Sequence, residues 1–502
     1  MNPVRQLVEI TVGLPGALRR FLSALWRATR HVERRRLQLL LALAWPVVVA
    51  RSSQSVIGFC DALMISPLGE DALAATTTGA INAFAIIILP MGMGFIVQSF
   101  AAQFQGKGDL LGARRYAWYG LALAVIFMAL AIASIPLIGP ILGIFPHSPV
   151  VHHLMTEYLA IRLLAVGAVV GTEVLGNWYG GLGNTRLHMI ASMLVMVLNV
   201  ALNWLLIEGN LGFPAMGVEG AALGSVIASW AGFGLLATVF LMGWGTERVT
   251  GKLRLKWSEF VRMIRFGLPN GINWFLEFAA FALFLNLVVA ELGPVVQAAM
   301  MVVIQINSVS FMPAFGISSA GAILVGQAIG RKEHDDVENI IGLTAAVAAV
   351  WQVSVGVAYV AIPAVLMNWF APPTENGPAF LAIGTSMLMI SAAWQLFDAW
   401  AISMGETLRA AGDTAWCMWA RMTLAWLVFT PFSIISVNVL SGGPNMAIAC
   451  MVVYMMVLSS VLVWRFYTGA WRDIDLTGSD DLGLDDQGDG ETGRQEPGPV
   501  SV

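Results

Sequence analysis

The chain is poor in charge. Of its 502 residues only 12% are Asp, Glu, Lys or Arg, 58% are hydrophobic, and mean hydropathy is +0.75. Soluble domains carry about 25% charged residues, so too little polar surface remains here to face water. Cysteine is scarce as well: Cys60, Cys417 and Cys450 lie in apolar runs with no disulfide or metal spacing, which excludes a disulfide framework and a thiolate metal centre. A Gly-Lys-Ser/Thr loop is missing, so nothing cradles nucleotide phosphates for an ATP-driven motor. No Ser/His pairing offers a nucleophile, and His147, His152 and His153 are scattered over an exposed loop. The formal charge of −4 gives no basic footprint for nucleic acid. These absences point away from an enzyme, a bound cofactor and a nucleic-acid partner.

Long apolar runs are what the chain has. A helix crossing a bilayer core needs about 20 apolar residues, and the ~10-residue alternating segments of a membrane barrel are not seen. Twelve helical spans are predicted, at 37–66, 72–104, 115–145, 151–182, 187–208, 217–245, 263–290, 294–328, 338–369, 377–408, 415–439 and 445–468. The fold class is all-α and polytopic, with the lipid bilayer as solvent. Lys and Arg orient it. The segment 1–36 holds eight arginines and is not a cleavable signal. Every second loop is basic: Lys107, Arg114 and Arg115; Arg186; Arg248 to Lys256; Arg331 and Lys332; Arg409; Arg465 and Arg472. The loops between them have neither Lys nor Arg. The expected placement is the inner (cell) membrane with both termini cytoplasmic.

Residues 3–30 read either as an amphipathic helix on the anionic leaflet or as a disordered leader. The expected domains are a basic segment 1–36, a six-helix bundle 37–245, a linker 246–262, a second bundle 263–468, and a disordered acidic tail 469–502. The two bundles are repeats. Leu68-Gly69 recurs as Leu292-Gly293, Ala74-Ala75 as Ala298-Ala299, and Gln103-x-x-Gly106-x-x-Asp109 as Gln327-x-x-Gly330-x-x-Glu333, all at an offset of 224. Pro46 recurs as Pro269 and Gly183-Asn184-Thr185 as Gly412-Asp413-Thr414, at offsets of 223 and 229. Six spans per repeat is an even number, so the halves are parallel and related by an axis along the membrane normal. In such transporters the substrate site lies between the halves.

An ionisable residue inside a bilayer costs about 2.5–3.5 kcal/mol on insertion scales and should face a cavity or a partner. Four polar stripes have helical spacing: Arg51, Gln54, Gly58 and Asp61 in span 1; Ser192, Asn199 and Asn203 in span 5; Asn270, Asn273 and Glu277 in span 7; Ser391, Gln395 and Asp398 in span 10. These are expected to line a central cavity. Asp398 lies among Trp394, Phe397 and Trp400, which are expected to hold flat lipophilic cations. Glu157 and Arg162 read as a local pair at the outer end of span 4. Arg51 lies ten residues from Asp61, about 15 Å along a helix, so its partner should come from another helix. Glu173 is divided between cavity and structural use. A carboxyl in an apolar cavity is disfavoured as an ion and takes a proton near neutral pH; ionised, it attracts an organic cation or sodium.

The motifs resemble those of the multidrug and toxic compound extrusion (MATE) family, in its NorM-like bacterial branch. The carriers are Gly58-Phe59-Cys60-Asp61-Ala62-Leu63-Met64, Gly181-Leu182-Gly183-Asn184-Thr185, Asn199-x-x-x-Asn203 leading into the run 212–221, Leu276-Glu277-Phe278, and Val325-Gly326-Gln327-Ala328-Ile329-Gly330. The resemblance implies two six-helix bundles, a large central cavity, and sodium- or proton-driven export of cationic drugs and dyes. It implies a coupling role for Asp61, paired with Asn199 or Asn203, and for Glu277 and Asp398, where sodium could bind. The expected site is therefore Asp61, Glu277, Asp398, Asn199, Asn203, Asn273, Gln54, Gln395 and Trp394, in a monomer that carries small organic cations. Two alternatives stand beside it. One is a flippase or exporter of a lipid-linked or other metabolite, which would want a strongly basic cavity. The other is a non-transporting membrane receptor or scaffold.

Overall fold

A computed structural model describes residues 3–30, 33–146, 148–247, 251–371 and 376–478. Expectations about His147, Arg248 and the tail beyond residue 478 lie outside the described residues. Each long apolar run forms a helix, because only a helix satisfies its own backbone polar groups in hydrocarbon. In chain order these are α1 (Pro3–Arg30), α2 (Arg34–Ile65), α3 (Glu70–Phe95), α4 (Val97–Lys107), α5 (Leu110–Ser134), α6 (Ile138–Leu142), α7 (Pro149–Leu163), α8 (Val166–Gly181), α9 (Thr185–Ile207) and α10 (Gly217–Leu241). Then follow α11 (Trp257–Phe284), α12 (Pro294–Gly330), α13 (His334–Ala361), α14 (Pro363–Asn368), α15 (Gly377–Ala411), α16 (Thr414–Met422), α17 (Thr430–Ser433) and α18 (Gly443–Tyr467). Among the described residues eleven helical stretches are long and apolar enough to cross a membrane, and α7 with α8, bent by 45°, counts as a twelfth when the pair is taken as one span. Helices α2–α10 form one lobe and α11–α18 the other.

Several boundaries depart from the sequence expectation. The predicted linker 246–262 ends early, since α11 starts at Trp257, where Glu259 binds Arg115 Nε at 2.9 Å and Tyr119 Oη at 2.8 Å. The predicted span 338–369 breaks before Pro363, which cannot continue the hydrogen-bond ladder. Segment 3–30 is helical and docks on the second lobe: Ala17, Phe21 and Ala24 are buried, and Phe21 meets Trp400 edge-on at 5.2 Å. The tail is ordered further than expected. Residues 470–473 form a helical turn, Trp471 and Leu476 are buried, and Arg262 donates to the Thr477 carbonyl at 3.1 Å. These apolar side chains interrupt the acidic composition and find pockets to fill.

The lobes meet at one end of the bundle, the end that carries Lys107, Arg186 and Arg331. Among the described residues, the hydrogen bonds and ion pairs that join the lobes fall in this half. The repeated motifs make the joint. Gln103 Nε2 donates to the Ala410 carbonyl at 2.8 Å, and its repeat counterpart Gln327 donates to the Gly181 carbonyl at 3.1 Å. The acceptors, Gly181 and Ala410, are themselves related by the offset of 229. Gly106 and Gly330 let α4 and α12 cross in contact: a Cβ on Gly106 would lie 2.2 Å from the Gln327 carbonyl oxygen, and one on Gly330 2.1 Å from that of Gln103. Toward the opposite, Lys/Arg-free end the lobes part around a cavity.

Candidate functional site

Two chambers adjoin at Gln54, Phe84 and Met91. The larger, about 440 Å³, lies between the lobes and is lined by Arg51, Asn273, Glu277, Asp398, Glu406, Arg409 and Arg421 among aromatics. The smaller, about 350 Å³, lies within the first lobe and is lined by Asp61, Arg162, Glu173, His188, Ser192 and Asn199. The stripes of spans 1, 5 and 7 therefore reach the chambers, with Gln54 facing both.

In the smaller chamber Asn203, rather than Asn199, donates to Asp61, at 2.5 Å. Asn203 also donates to Asn199 at 3.4 Å, and Asn199 to Ser225 at 2.9 Å. Arg162 lines the same chamber as Asp61. The local pair of Arg162 with Glu157 expected from the sequence does not form; Glu157 pairs instead with His153, four residues away, at 3.3 Å. Arg51 and Glu173 are a two-pronged pair, both bonds at 2.9 Å. Asn177 donates to the same carboxylate at 3.2 Å. The Arg51 guanidinium lies 5.6 and 5.5 Å from the rings of Phe95 and Phe315, one from each lobe.

In the larger chamber Arg421 Nη1 reaches both oxygens of Glu277, at 3.1 and 3.2 Å. Asp398 is buried and accepts from Gln352 Nε2 at 2.8 Å. Span 10 departs from expectation above Asp398. Gln395 donates to Asn307 at 2.5 Å and accepts from Ser310 at 3.0 Å, so it is spent in a buried amide and hydroxyl network between helices. Trp394 packs into the second-lobe core, and Trp400 packs against Phe21, so neither faces the chamber. An α-helix presents only one stripe to a cavity, and Asp398 occupies it. The aromatics that do line the chamber are Phe84, Trp274, Phe278, Phe311 and Phe315.

Sequence reasoning placed Arg409 in a basic loop. It is 3% exposed in the last turn of α15. It donates to Glu406 Oε2 at 2.5 Å and, across the lobe boundary, to Gln98 Oε1 at 2.7 Å and Ser99 Oγ at 3.0 Å. Its ring neighbour Phe95 lies 4.2 Å away. Gln352, Glu406 and His188 were likewise missed. Glu406 could have been found: it precedes Arg409 by one helical turn inside an apolar span, a spacing at which opposite charges meet.

Comparison with known proteins agrees with this two-lobed fold. The MatE family profile matches residues 46–205 and 269–435, one stretch per lobe, with starts at Pro46 and its repeat counterpart Pro269. A protein named probable multidrug resistance protein NorM, from Neisseria meningitidis serogroup A, is 30% identical over 377 residues, 72% of this chain and 78% of that one. One of the same name from Thermotoga maritima is 27% identical over 438 residues, 86% of this chain and 92% of that one. A solved structure described as the outward-facing conformation of a multidrug resistance MATE family transporter superposes with a TM-score of 0.80 at 20% identity, covering 88% of this chain and 97% of that one.

Proposed function

Because the chain belongs to the MatE family of multi-pass membrane transporters, we propose that it is an antiporter exporting lipophilic organic cations in exchange for protons or sodium. The observation that carries this reading is the placement of Glu277 and Asp398, from separate helices, in one aromatic-lined chamber between two pseudo-symmetric lobes. The chamber volume lies within the roughly 300–1,000 Å³ of small-molecule sites. Flat apolar compounds stack on Phe84, Trp274 and Phe315, and a positive group gains from the ring faces. Across the two chambers the acids Asp61, Glu173, Glu277, Asp398 and Glu406 face the bases Arg51, Arg162, Arg409 and Arg421. The balance is one negative charge in excess, which favours a cation. With the Lys/Arg-bearing end placed in the cytoplasm, the joined half of the lobes is the inner gate and the chamber faces outward. In that state substrate leaves and the coupling ion enters.

A lipid-linked pyrophosphate is the weaker alternative substrate, since Arg51, Arg409 and Arg421 are each held by a carboxylate and present no open basic surface. The test is flux of a fluorescent lipophilic cation in liposomes under separately imposed proton and sodium gradients, with Glu277→Gln and Asp398→Asn beside the native protein. The expected result is flux that follows one gradient and collapses in either variant. Native protein that is folded and indifferent to both gradients would overturn the reading.

A further inference from the structure

A coupling ion arriving at Glu277 does not meet an open carboxylate. Arg421 already holds both of its oxygens, at 3.1 and 3.2 Å. The guanidinium is pressed against α15 at Gly405, where an added Cβ would lie 2.7 Å from Arg421 Nη2. The next residue along α15 is Glu406, which anchors Arg409 through Oε2 alone, at 2.5 and 3.2 Å. Arg409 in turn reaches the first lobe at Gln98, Ser99 and the Phe95 carbonyl, the last at 3.4 Å. One unbroken chain of contacts thus runs from the proposed coupling acid to the joint between the lobes. Arg421 lines the chamber with Glu277 from α11, Asp398, Glu406 and Arg409 from α15, and Cys417 on its own helix, and Tyr454 from α18 lines the small recess beside it. Immediately after it the backbone widens into π-helical turns over Thr423–Phe429. Such turns are a frequent mark of functional sites.

We propose that Arg421 is a tethered counter-cation: the coupling ion binds by displacing it from Glu277, and the freed guanidinium turns to Glu406 and weakens the hold of Arg409 on the first lobe. The inference rests on the antiport reading above and deepens it. The Arg421 side chain is only 17% exposed, so leaving its guanidinium without a counter-charge is costly. When a proton neutralises Glu277, or sodium takes up its charge, Arg421 must find another carboxylate. Gln352 takes one oxygen of Asp398 and Arg409 one of Glu406, so each has a second to offer; Glu406 directly follows Gly405, against which Arg421 already rests. Sharing Glu406 slackens the anchor that aims Arg409 across the gate. Ion binding in the chamber is thereby linked to opening at the other end of it, as exchange by alternating access requires.

The experiment measures, in liposomes, the ratio of ion-driven to simple downhill flux of a fluorescent lipophilic cation, under proton and sodium gradients imposed separately. It compares native protein with Arg421→Gln, Arg421→Lys and Glu406→Gln, each shown monodisperse by gel filtration. The ratio is expected to fall about tenfold in Arg421→Gln, within the usual range of coupling between sites. It is expected to fall also in Glu406→Gln and to recover in Arg421→Lys, which keeps the tethered charge. A ratio equal to native in Arg421→Gln overturns the proposal, as does Arg421→Lys behaving like Arg421→Gln. Should Arg421→Gln fail to fold, a native ratio in Glu406→Gln overturns it instead. Native protein that responds to neither ion sinks the antiport reading itself, a result plainly different from a driven native protein with an equally driven Arg421→Gln.

Discussion

The Arg51–Glu173 pair illustrates how buried charge constrains single residues. Their side chains are 11% and 3% exposed, and removing one partner strands the other in a low-dielectric interior. Glu173→Gln is expected to destabilise the fold by about 3–5 kcal/mol, seen as a lower Tm in detergent. A double change to apolar residues, Arg51→Met with Glu173→Leu, is expected to recover most of that loss, because no charge is then left buried. Equal destabilisation in the single and double variants would show that the pair is not what holds these helices. The need for a partner to Arg51 was legible in the sequence, since a lone charge in an apolar run must be neutralised and Asp61 lies about 15 Å along the helix. Which partner it takes was not legible, since the two residues are 122 apart in the chain and only the packing of α2 and α8 within the first lobe brings them together. The same limit hid the partner of Arg421, an ionisable residue legible inside span 11, since Glu277 lies 144 residues earlier.

Among elements, the repeat was the strongest sequence signal, and the joint between α4 and α12 gives its physical reason. Two copies of one motif cross near the pseudo-two-fold axis, so each glycine must leave room for the other copy's backbone. Gly106→Ala or Gly330→Ala is expected to push the helices apart, at an overpacking cost of about 1–3 kcal/mol, and to shift the protein away from the joined state. Spin labels at Arg186 and Arg331, on opposite lobes of that end, should report a longer distance; an unchanged distance would contradict the packing account. The segment after α18 adds a second tie. Lys107 in the first lobe bonds the Thr477 hydroxyl and Leu476 is fully buried, so Leu476→Ala is expected to lower stability by about 2–5 kcal/mol. Composition pointed to disorder here because acidic and glycine residues outnumber the two apolar anchors. Hydropathy located the spans well, but it did not tell which face of a helix meets a cavity. Hence Gln395 was grouped with Asp398 on helical spacing and Trp394 on sequence proximity, although one enters an amide network and the other packs in the core.

At the scale of the whole molecule the question is which force drives export, and the charge of the cargo decides it. One elementary charge crossing 100 mV is worth about 2.3 kcal/mol. At about 1.4 kcal/mol per decade this sustains roughly a 50-fold gradient. Exchange of one proton or sodium ion for a neutral compound moves one net charge, so voltage contributes in full. Exchange of the same ion for a monovalent cation moves none, and only the ion gradient remains. Liposomes clamped at a fixed potential, with no ion gradient, should therefore accelerate transport of a neutral aromatic compound and leave that of a monovalent cationic dye unchanged. Equal acceleration of both would mean that more than one ion is exchanged per dye molecule. Glu277 and Asp398 would then hold separate ions rather than one between them.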